Sequence, residues 1–267
     1  MTKIIYFCAS KDEIMRYKFG IVLLILHSSF FIIHSAYAQQ YKVRSTKWKR
    51  IEVTSALDSK PNSTALAIIA PYKISVDSVM SPVLGMSRVA MSARRPESLL
   101  SNWAADVMVE GSTATGLPVA DMGLVNIGGL RNNMPEGVVT CGDIILISPF
   151  ENKLVVLEMK GKHMLELMRN IAAVGGEGVS SSVRIVISKD KKLINASING
   201  QKISRKRTYT IATLDYLAEG NDKMYALKKA KKRHEIGLKT RDVLMESVIK
   251  HRIINSKIEG RIIVSEE

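Results

Sequence analysis

The sequence predicts an α+β fold, in which mixed β-sheet layers are flanked by helices. Strand-like and helix-like segments follow one another irregularly along the chain, whereas a doubly wound parallel sheet requires regular alternation. Asn199-Gly200 is a strong hairpin signal, because both residues accept positive φ angles. Residues 163–174 have the apolar spacing of an amphipathic helix. Together these three observations favour hairpins packed against helices.

The N-terminal segment has the pattern of an export signal. Basic residues precede an apolar run over residues 19–33, and Ala36-Tyr37-Ala38 is a small-x-small pattern of the kind that signal peptidases cut. We therefore expect residues 1–38 to be a signal peptide, with Met15 as an alternative start. An uncleaved membrane anchor is the competing interpretation. Cleavage leaves no stable membrane span.

The remaining chain is predicted to form one domain. Residues 39–74 are expected to be an N-terminal extension that packs on the domain of residues 75–267. Its only cysteine is Cys141, so no disulfide framework stabilises it. Export without disulfides suits a bacterial periplasm, which is the predicted location.

The elements of this domain follow from the spacing of apolar residues. Residues 138–147 fit a short helix or a strand. The predicted helices cover residues 66–80, 98–110, 163–174 and 240–251. The predicted strands cover residues 48–53, 121–125, 154–159, 183–188, 193–198, 209–212 and 262–264.

The formal net charge of +14 raises the question of a nucleic-acid partner. The densest basic cluster contains no interleaved aromatic residues, so it offers no stacking platform for single-stranded nucleic acid. We predict a solvated helix or loop face and no nucleic-acid partner, with an acidic partner or a membrane surface as the alternative. The basic cluster comprises Lys228, Lys229, Lys231, Lys232 and Arg233.

Sequence patterns of catalysis are scarce. His163, His234 and His251 stand at no metal-ligand spacing, so a structural or surface role is expected for each. No Gly-x-Ser-x-Gly nucleophile elbow occurs, although triads assembled from distant residues stay open. The glycines of residues 175–178 are only a weak signal for phosphate binding, because no Lys, Ser or Thr accompanies them.

Several loop residues are instead of the kind that bind planar, polar ligands. Phe150 and Tyr216 lie on separate loops and can stack on a planar base. Arg131 follows a glycine turn and can pair with phosphate through two N–H groups. Asn152 and Asp222 can hydrogen-bond ribose hydroxyls or base edges. Taken singly, each also fits a packed aromatic, a surface arginine or a turn residue.

These residues carry a family resemblance. The segment Asn126-Ile127-Gly128-Gly129-Leu130-Arg131 resembles the Asn-x-Gly-Gly-Ile-Arg motif of the 5′-nucleotidase C-terminal domain. Pro149-Phe150-Glu151-Asn152 and the segment from Ala212 to Asp222 resemble its two aromatic loops. Glu97-Ser98, with Ser101-Asn102 and Asp106, is similar to its opening helix, and Glu259-Gly260-Arg261-Ile262 is similar to its closing strand. The motifs occur in family order over residues 75–265.

The resemblance implies a domain that binds the nucleoside part of a nucleotide. Phe150 and Tyr216 would clamp the base and Asp222 would hold the ribose hydroxyls. Asn126 and Arg131 would face the phosphate. The full set of substrate-binding residues implied in this way is Asn126, Arg131, Phe150, Asn152, Tyr216, Asp222, Arg94 and Arg95, of which the last two are a looser assignment.

The chain departs from the family pattern in three ways. Tyr216 stands where Phe is common, which keeps the stacking face and adds a hydroxyl. Asn221 and Lys223 flank Asp222 where Gly is usual, and a positive φ at Lys223 costs about 1 kcal/mol, so this loop is expected to be reshaped. Complete 5′-nucleotidases also have an N-terminal metallophosphoesterase domain, whose metal motifs do not occur in this sequence.

The sequence therefore predicts no catalytic residues, no metal site and no cofactor in this chain. It predicts the specificity component of a periplasmic 5′-nucleotidase system, in which a separate metallophosphoesterase subunit holds the divalent metals. The alternative is a non-catalytic periplasmic nucleoside-binding protein. A third interpretation is a remnant domain whose pocket has decayed, for which Lys223 is the only hint.

Overall fold

The structure, a computed structural model, describes residues 11–35, 42–59, 61–114 and 116–266. The chain divides into two compact units, Met1–Pro61 and Asn62–Glu267. In the first unit, helix α1 covers Lys11–Ser35 and a 3₁₀ helix covers Ser55–Ser59. In the described parts of the chain, no helix is both long and apolar enough to span a membrane.

Two sequence predictions fall in this first unit. The cleavage pattern at residues 36–38 lies outside the described residues. The strand predicted over residues 48–53 is wrong, because these residues form no regular secondary structure and their side chains are exposed. Ile51 and Val53 would share one face of such a strand, but both side chains are exposed, so the segment has no apolar partner to hold it in a sheet.

The second unit contains the remaining helices and all the strands of the described residues. The helices are α2 (Ser63–Met80), α3 (Leu99–Gly111), α4 (Cys141–Ile147), α5 (Gly161–Ala173), α6 (Asp215–Ala218) and α7 (Thr240–His251). The strands are β1 (Val83–Ser87), β2 (Met122–Val125), β3 (Gly137–Thr140), β4 (Lys153–Lys160), β5 (Gly178–Val179), β6 (Val183–Ile187), β7 (Leu193–Ile198), β8 (Gln201–Lys202), β9 (Thr208–Leu214), β10 (Lys232–Lys239), β11 (Ile253–Ile254) and β12 (Ile262–Val264).

Three mixed sheets form the architecture of the described chain. The largest has the strand order β10-β4-β9-β2-β5, a second has the order β12-β6-β7-β8, and a third has the order β11-β1-β3. Parallel and antiparallel pairs occur together, since β9 pairs parallel with β2 and antiparallel with β4. This arrangement confirms the predicted α+β class with mixed sheet layers.

The largest sheet separates two hydrophobic cores. Along β4, Val155, Leu157 and Met159 belong to one core, and Leu154 and Val156 belong to the other. This distribution follows from the two-residue period of a strand, which sends successive side chains to opposite faces. Helix α5 and strands β6 and β7 complete the first core, and helices α3 and α7 complete the second. Strand β4 is therefore buried on both faces.

The structure confirms the predicted hairpin and most of the predicted elements. Asn199 and Gly200 adopt φ angles of 52° and 72° and join β7 to β8. Residues 138–147, which fitted a strand or a helix, contain both in succession, β3 and then α4. Thr140 and Asp143 form a reciprocal capping box at the junction, which fixes where the helix begins.

Five strands were not predicted: β5, β8 and β11 have only two residues each, and β1 and β10 lack an apolar alternation over their length. Strand β1 is short and pairs with β3 and β11. Strand β10 contains Lys232 and Arg233 of the basic cluster, so the prediction of a helix or loop for those two residues is wrong. Their charges face carboxylates of Glu158, Glu219 and Glu235. Charged side chains of this kind protect an edge strand from pairing with another chain.

Candidate functional site

Three connections meet at one edge of the largest sheet. Strands β2 and β9 run parallel, so their carboxyl ends lie at the same edge. Strand β4 is antiparallel to β9, with Leu154 opposite Leu214, so its amino end lies there too. The loops that follow β2 and β9 and the loop that precedes β4 are therefore brought together. Such an edge of a sheet is a common place for a ligand site.

These three loops carry the predicted binding residues. Asn126 directly follows β2, Phe150 and Asn152 lie between α4 and β4, and Tyr216 lies in α6 directly after β9. Together they line an open cleft of about 340 Å³, a volume within the range of ligand sites. The cleft is lined by Asn126, Gly128, Gly129, Arg131, Phe150, Asn152, Tyr216 and Asp222.

Asp222 is the centre of the polar network in this cleft. The amide nitrogen of Asn126 donates to one carboxylate oxygen at 2.5 Å, and the hydroxyl of Tyr216 donates to the other at 3.1 Å. The orientation of the Asn126 amide follows from chemistry, because only its nitrogen can donate to a carboxylate. The network holds three side chains from two distant loops in one arrangement.

The two aromatic rings remain accessible. Phe150 is 44% exposed and Tyr216 is 40% exposed, although both line the cleft. The guanidinium carbon of Arg131 lies 5.7 Å from the centroid of the Phe150 ring, within the range of a cation–π contact. Arg131 also donates to the carbonyl of Gly128 at 3.2 Å. Exposed rings beside a fixed cation give the cleft two stacking faces and one positive charge.

The turn that presents Asp222 keeps a left-handed backbone. Asp222 and Lys223 adopt φ angles of 51° and 66°, and Gly220 adopts 80°. Lys223 adopts the costly positive φ, and the Asp222 carboxylate still lines the cleft; a reshaping of the turn stays a prediction. Asn221 supports the turn by donating its amide N–H to the carbonyl of Tyr216 at 2.8 Å.

Arg94 and Arg95 lie outside the set of residues that line the cleft. The backbone N–H of Arg94 donates to the hydroxyl of Ser98 at 3.0 Å, at the start of α3. The guanidinium of Arg95 pairs with the carboxylate of Glu177 and donates to the carbonyl of Gly176 at 2.7 Å. A phosphate contact by either arginine stays a prediction.

Sequence reasoning missed Glu177. Its side chain is fully buried, and one carboxylate oxygen accepts a hydrogen bond of 2.6 Å from the backbone N–H of Ile127, beside the cleft. Burial raises the pKa of Glu177 above its ordinary value, and the bonds from Ile127 and Arg95 oppose that effect. The only sequence signal is a charged residue inside a glycine-rich loop, which does not reveal a partner 50 residues away.

His163, His234 and His251 each lie next to a different glutamate. Nitrogen–oxygen distances are 3.3 Å for His163 and Glu166, 2.9 Å for His234 and Glu158, and 3.1 Å for His251 and Glu110. Among residues 11–35, 42–59, 61–114 and 116–266, no group of three or more His, Cys, Asp and Glu is placed to hold a metal ion.

The hydrogen bond between Tyr216 and Asp222 can be tested by measuring the pKa of Tyr216. It raises the pKa of the Tyr216 hydroxyl above its ordinary value, because the bond and the negative charge of Asp222 both favour the protonated phenol. The bond is therefore present at neutral pH and is lost as pH rises through the raised pKa. We expect Asp222→Asn to return the Tyr216 pKa towards its ordinary value in an NMR titration. An unchanged pKa in this variant would contradict the hydrogen bond.

The fold and the cleft define a class of protein: an α+β domain whose main sheet carries, at one edge, a cleft with two exposed aromatic rings, an arginine and a hydrogen-bonded carboxylate. Comparison with known proteins then gives the family. The model of the family described as "5′-nucleotidase, C-terminal domain" matches residues 78–229. The chain belongs to the 5′-nucleotidase C-terminal domain family.

Individual relatives agree with this assignment. The chain is 29% identical to an apyrase of Tabanus yao over 208 residues, which covers 67% of this chain and 37% of the apyrase. It is 25% identical to the trifunctional nucleotide phosphoesterase protein YfkN of Bacillus subtilis over 225 residues, covering 76% and 15% of the two chains. The fold is similar to that of a 5′-nucleotidase precursor from Thermus thermophilus, with a TM-score of 0.68, 24% identity and coverage of 76% and 43%.

The match covers only part of each relative. The chain spans 37% of the apyrase, 15% of the trifunctional phosphoesterase and 43% of the Thermus thermophilus protein. The regions that match include both aromatic loops, since the family model extends from residue 78 to residue 229. The candidate cleft therefore lies within the part of the chain that defines the family.

Proposed function

We propose that this chain is the nucleoside- and nucleotide-binding specificity component of a periplasmic 5′-nucleotidase system that acts in nucleotide catabolism. The observation that carries the proposal is the cleft, where Phe150 and Tyr216 present exposed rings beside Arg131 and the anchored carboxylate of Asp222. The family of the chain and its similarity to a nucleotide phosphoesterase support this choice of ligand.

The proposed binding mode uses each group for one part of a nucleotide. The base stacks on Phe150 and Tyr216, and each such contact contributes about 1–3 kcal/mol. Asp222 accepts from ribose hydroxyls, because a carboxylate has about four acceptor positions and Asn126 and Tyr216 occupy two of them. Arg131 faces the phosphate and donates two N–H groups to it. Asn152 also lines the cleft, and its amide is assigned to a base edge or to the ribose.

Hydrolysis is assigned to a separate metallophosphoesterase subunit. In this proposal the divalent metals belong to that subunit alone, where they activate water and stabilise the charge on the phosphate. The chain supplies no metal ligand and no catalytic residue. It binds the nucleoside part and presents the phosphate to the metals. Export to the periplasm, through the signal predicted over residues 1–38, would bring the two subunits together.

An activity assay tests the division of labour between the two chains. We expect the purified chain to bind AMP and to show no hydrolysis above background with added divalent metal, because the metals act from the partner. Addition of a metallophosphoesterase subunit that co-purifies with the chain should produce AMP hydrolysis, and Arg131→Ala should lower that rate. The measurement is phosphate release at matched protein concentrations.

Three outcomes of this assay and of a parallel binding measurement contradict the proposal. Hydrolysis of AMP by the chain alone, at a rate that Arg131→Ala abolishes, would place the catalytic centre in this chain. If the chain binds adenosine but no metallophosphoesterase subunit co-purifies with it, a non-catalytic periplasmic nucleoside-binding protein is favoured instead. Failure to bind either ligand would favour the remnant domain with a decayed pocket.

A further inference from the structure

Glu177 connects three segments of the chain that are distant in sequence. Its loop lies between α5 and β5, and its side chain is fully buried. One carboxylate oxygen accepts the N–H of Ile127 at 2.6 Å, and the other pairs with the guanidinium of Arg95. Arg95 in turn donates through its Nε to the carbonyl of Gly176 at 2.7 Å. These bonds fix the loop after α5 to the segment before α3 and to the loop after β2.

The bond to Ile127 acts directly on the candidate cleft. Ile127 begins the 3₁₀ turn Ile127–Gly129, and the first N–H groups of such a turn have no partner within it. Glu177 satisfies one of these donors. The residue before it is Asn126, whose side chain holds the carboxylate of Asp222. A displacement of the turn would therefore move Asn126 away from Asp222.

The surrounding backbone leaves Glu177 little freedom. Gly176 adopts a φ of 110°, and a Cβ atom at this position would lie 2.5 Å from the carbonyl oxygen of Pro96. The loop therefore packs backbone to backbone against the Arg95–Pro96 segment. A buried carboxylate is costly unless it is paired and hydrogen-bonded, and Glu177 has both kinds of partner. Removing this carboxylate would leave the N–H of Ile127 without its acceptor, so the arrangement of the turn depends on it.

We infer that Glu177 and Arg95 are positioning residues for the nucleoside part of the ligand, and that Arg95 is not a phosphate ligand. The inference rests on the proposed function, because it assigns both residues to the same cleft. They act through the Ile127–Gly129 turn and through Asn126, which keeps Asp222 in place for the ribose. The guanidinium of Arg95 is engaged by Glu177 and Gly176 and does not line the cleft.

The first test needs no ligand. Amide hydrogen exchange at Ile127, followed by NMR in the full chain, reports whether Glu177 holds the turn. We expect Glu177→Ala to accelerate exchange at Ile127 by about tenfold or more through local opening. Glu110→Ala is the control, because Glu110 is also a carboxylate held by several partners but it bonds Ser247, Lys250 and His251 on α7. Equal exchange at Ile127 in the two variants overturns the inference.

The second test separates positioning from phosphate binding. Isothermal titration with adenosine and with AMP is compared for the parent chain, Glu177→Gln and Arg95→Lys. Lysine keeps the charge but loses the fork geometry of the guanidinium. We expect each variant to raise the dissociation constants of adenosine and of AMP by the same factor of about five. This is the effect of one disturbed hydrogen bond. Because Arg95 is partly exposed, Arg95→Lys is expected to fold. It can therefore be titrated even if Glu177→Gln fails to fold.

The outcomes are distinct. Weaker binding of AMP alone in Arg95→Lys means that Arg95 contacts phosphate, and the inference is then wrong. Lower melting temperatures with unchanged affinities for both ligands mean a purely structural pair, which also overturns it. A parent chain that binds neither ligand refutes the proposed function, and the exchange rate of Ile127 still decides whether Glu177 positions the turn.

Discussion

Replacing either cleft ring by alanine should weaken adenosine binding by about tenfold or more, because each ring supplies one stacking face of about 1–3 kcal/mol. The variants Phe150→Ala and Tyr216→Ala remove these faces from rings that are nearly half exposed, so the fold itself should not suffer. Phe150→Ala also removes the ring beneath the guanidinium of Arg131. Isothermal titration of adenosine against each variant measures the loss.

Two further variants control this experiment. Tyr225→Ala removes an exposed tyrosine that does not line the cleft, and it should leave the affinity unchanged. Tyr216→Phe keeps the stacking face and removes only the hydroxyl that bonds Asp222, so a loss smaller than that of Tyr216→Ala is expected. If both alanine variants bind adenosine as tightly as the parent, the cleft is not the nucleoside site.

The largest effect on stability is expected at Arg261. Its side chain is only 4% exposed and donates to the carboxylates of Asp106 and Glu259 and to the carbonyls of Asn102 and Val179. Arg261→Met removes all these bonds, although Glu259 keeps its ion pair with Lys257 and Asp106 keeps the backbone N–H of Ser181. Losing hydrogen bonds to charged groups in this way costs about 1.5–3 kcal/mol. The free energy of unfolding, measured from urea denaturation, should fall by that amount.

A surface arginine gives the comparison for Arg261. Arg233 also pairs with two carboxylates, those of Glu219 and Glu235, but both partners are well exposed. Arg233→Met should therefore cost only about 0–1 kcal/mol, as is usual for surface ion pairs. If Arg261→Met costs no more than Arg233→Met, then the buried network does not hold the first and last segments of the domain together.

Burial of Arg261 explains why two motifs of the sequence are not part of the cleft. The opening motif contributes Asn102 and Asp106 on α3, and the closing motif contributes Glu259 and Arg261 before β12. The structure joins them to each other through Arg261. The sequence alone does not distinguish motifs that bind a ligand from motifs that hold the fold together. Burial helps to distinguish them, because the rings of Phe150 and Tyr216 are exposed in the cleft, whereas the guanidinium of Arg261 is buried.

Local signals were enough to predict much of the fold. Helices α3, α5 and α7 have apolar residues at helical spacing, and Asn199-Gly200 accepts the positive φ angles of a tight turn. Strand β10 was missed because its position depends on pairing with β4, which is distant in the sequence. Its charged sequence carries no local preference for a strand. Pairing of this kind is set by tertiary contacts rather than by propensity.

The candidate site was predictable to the extent that its residues belong to short motifs. Six of the proposed residues line one cleft because β2 and β9 end, and β4 begins, at the same edge of the sheet. Glu177 could not be predicted, because its importance comes from two partners that lie 50 and 82 residues away. The ion pair between Arg95 and Glu177 could not be predicted for the same reason. A sequence motif names residues, whereas hydrogen bonds between motifs appear only in the folded chain.

A crystal structure of the full chain with bound adenosine tests the central claim most directly. The account predicts the base between Phe150 and Tyr216, with the ribose hydroxyls hydrogen-bonded to the carboxylate of Asp222. Density for adenosine at any other place on the molecule, with these two rings free of it, would contradict the account.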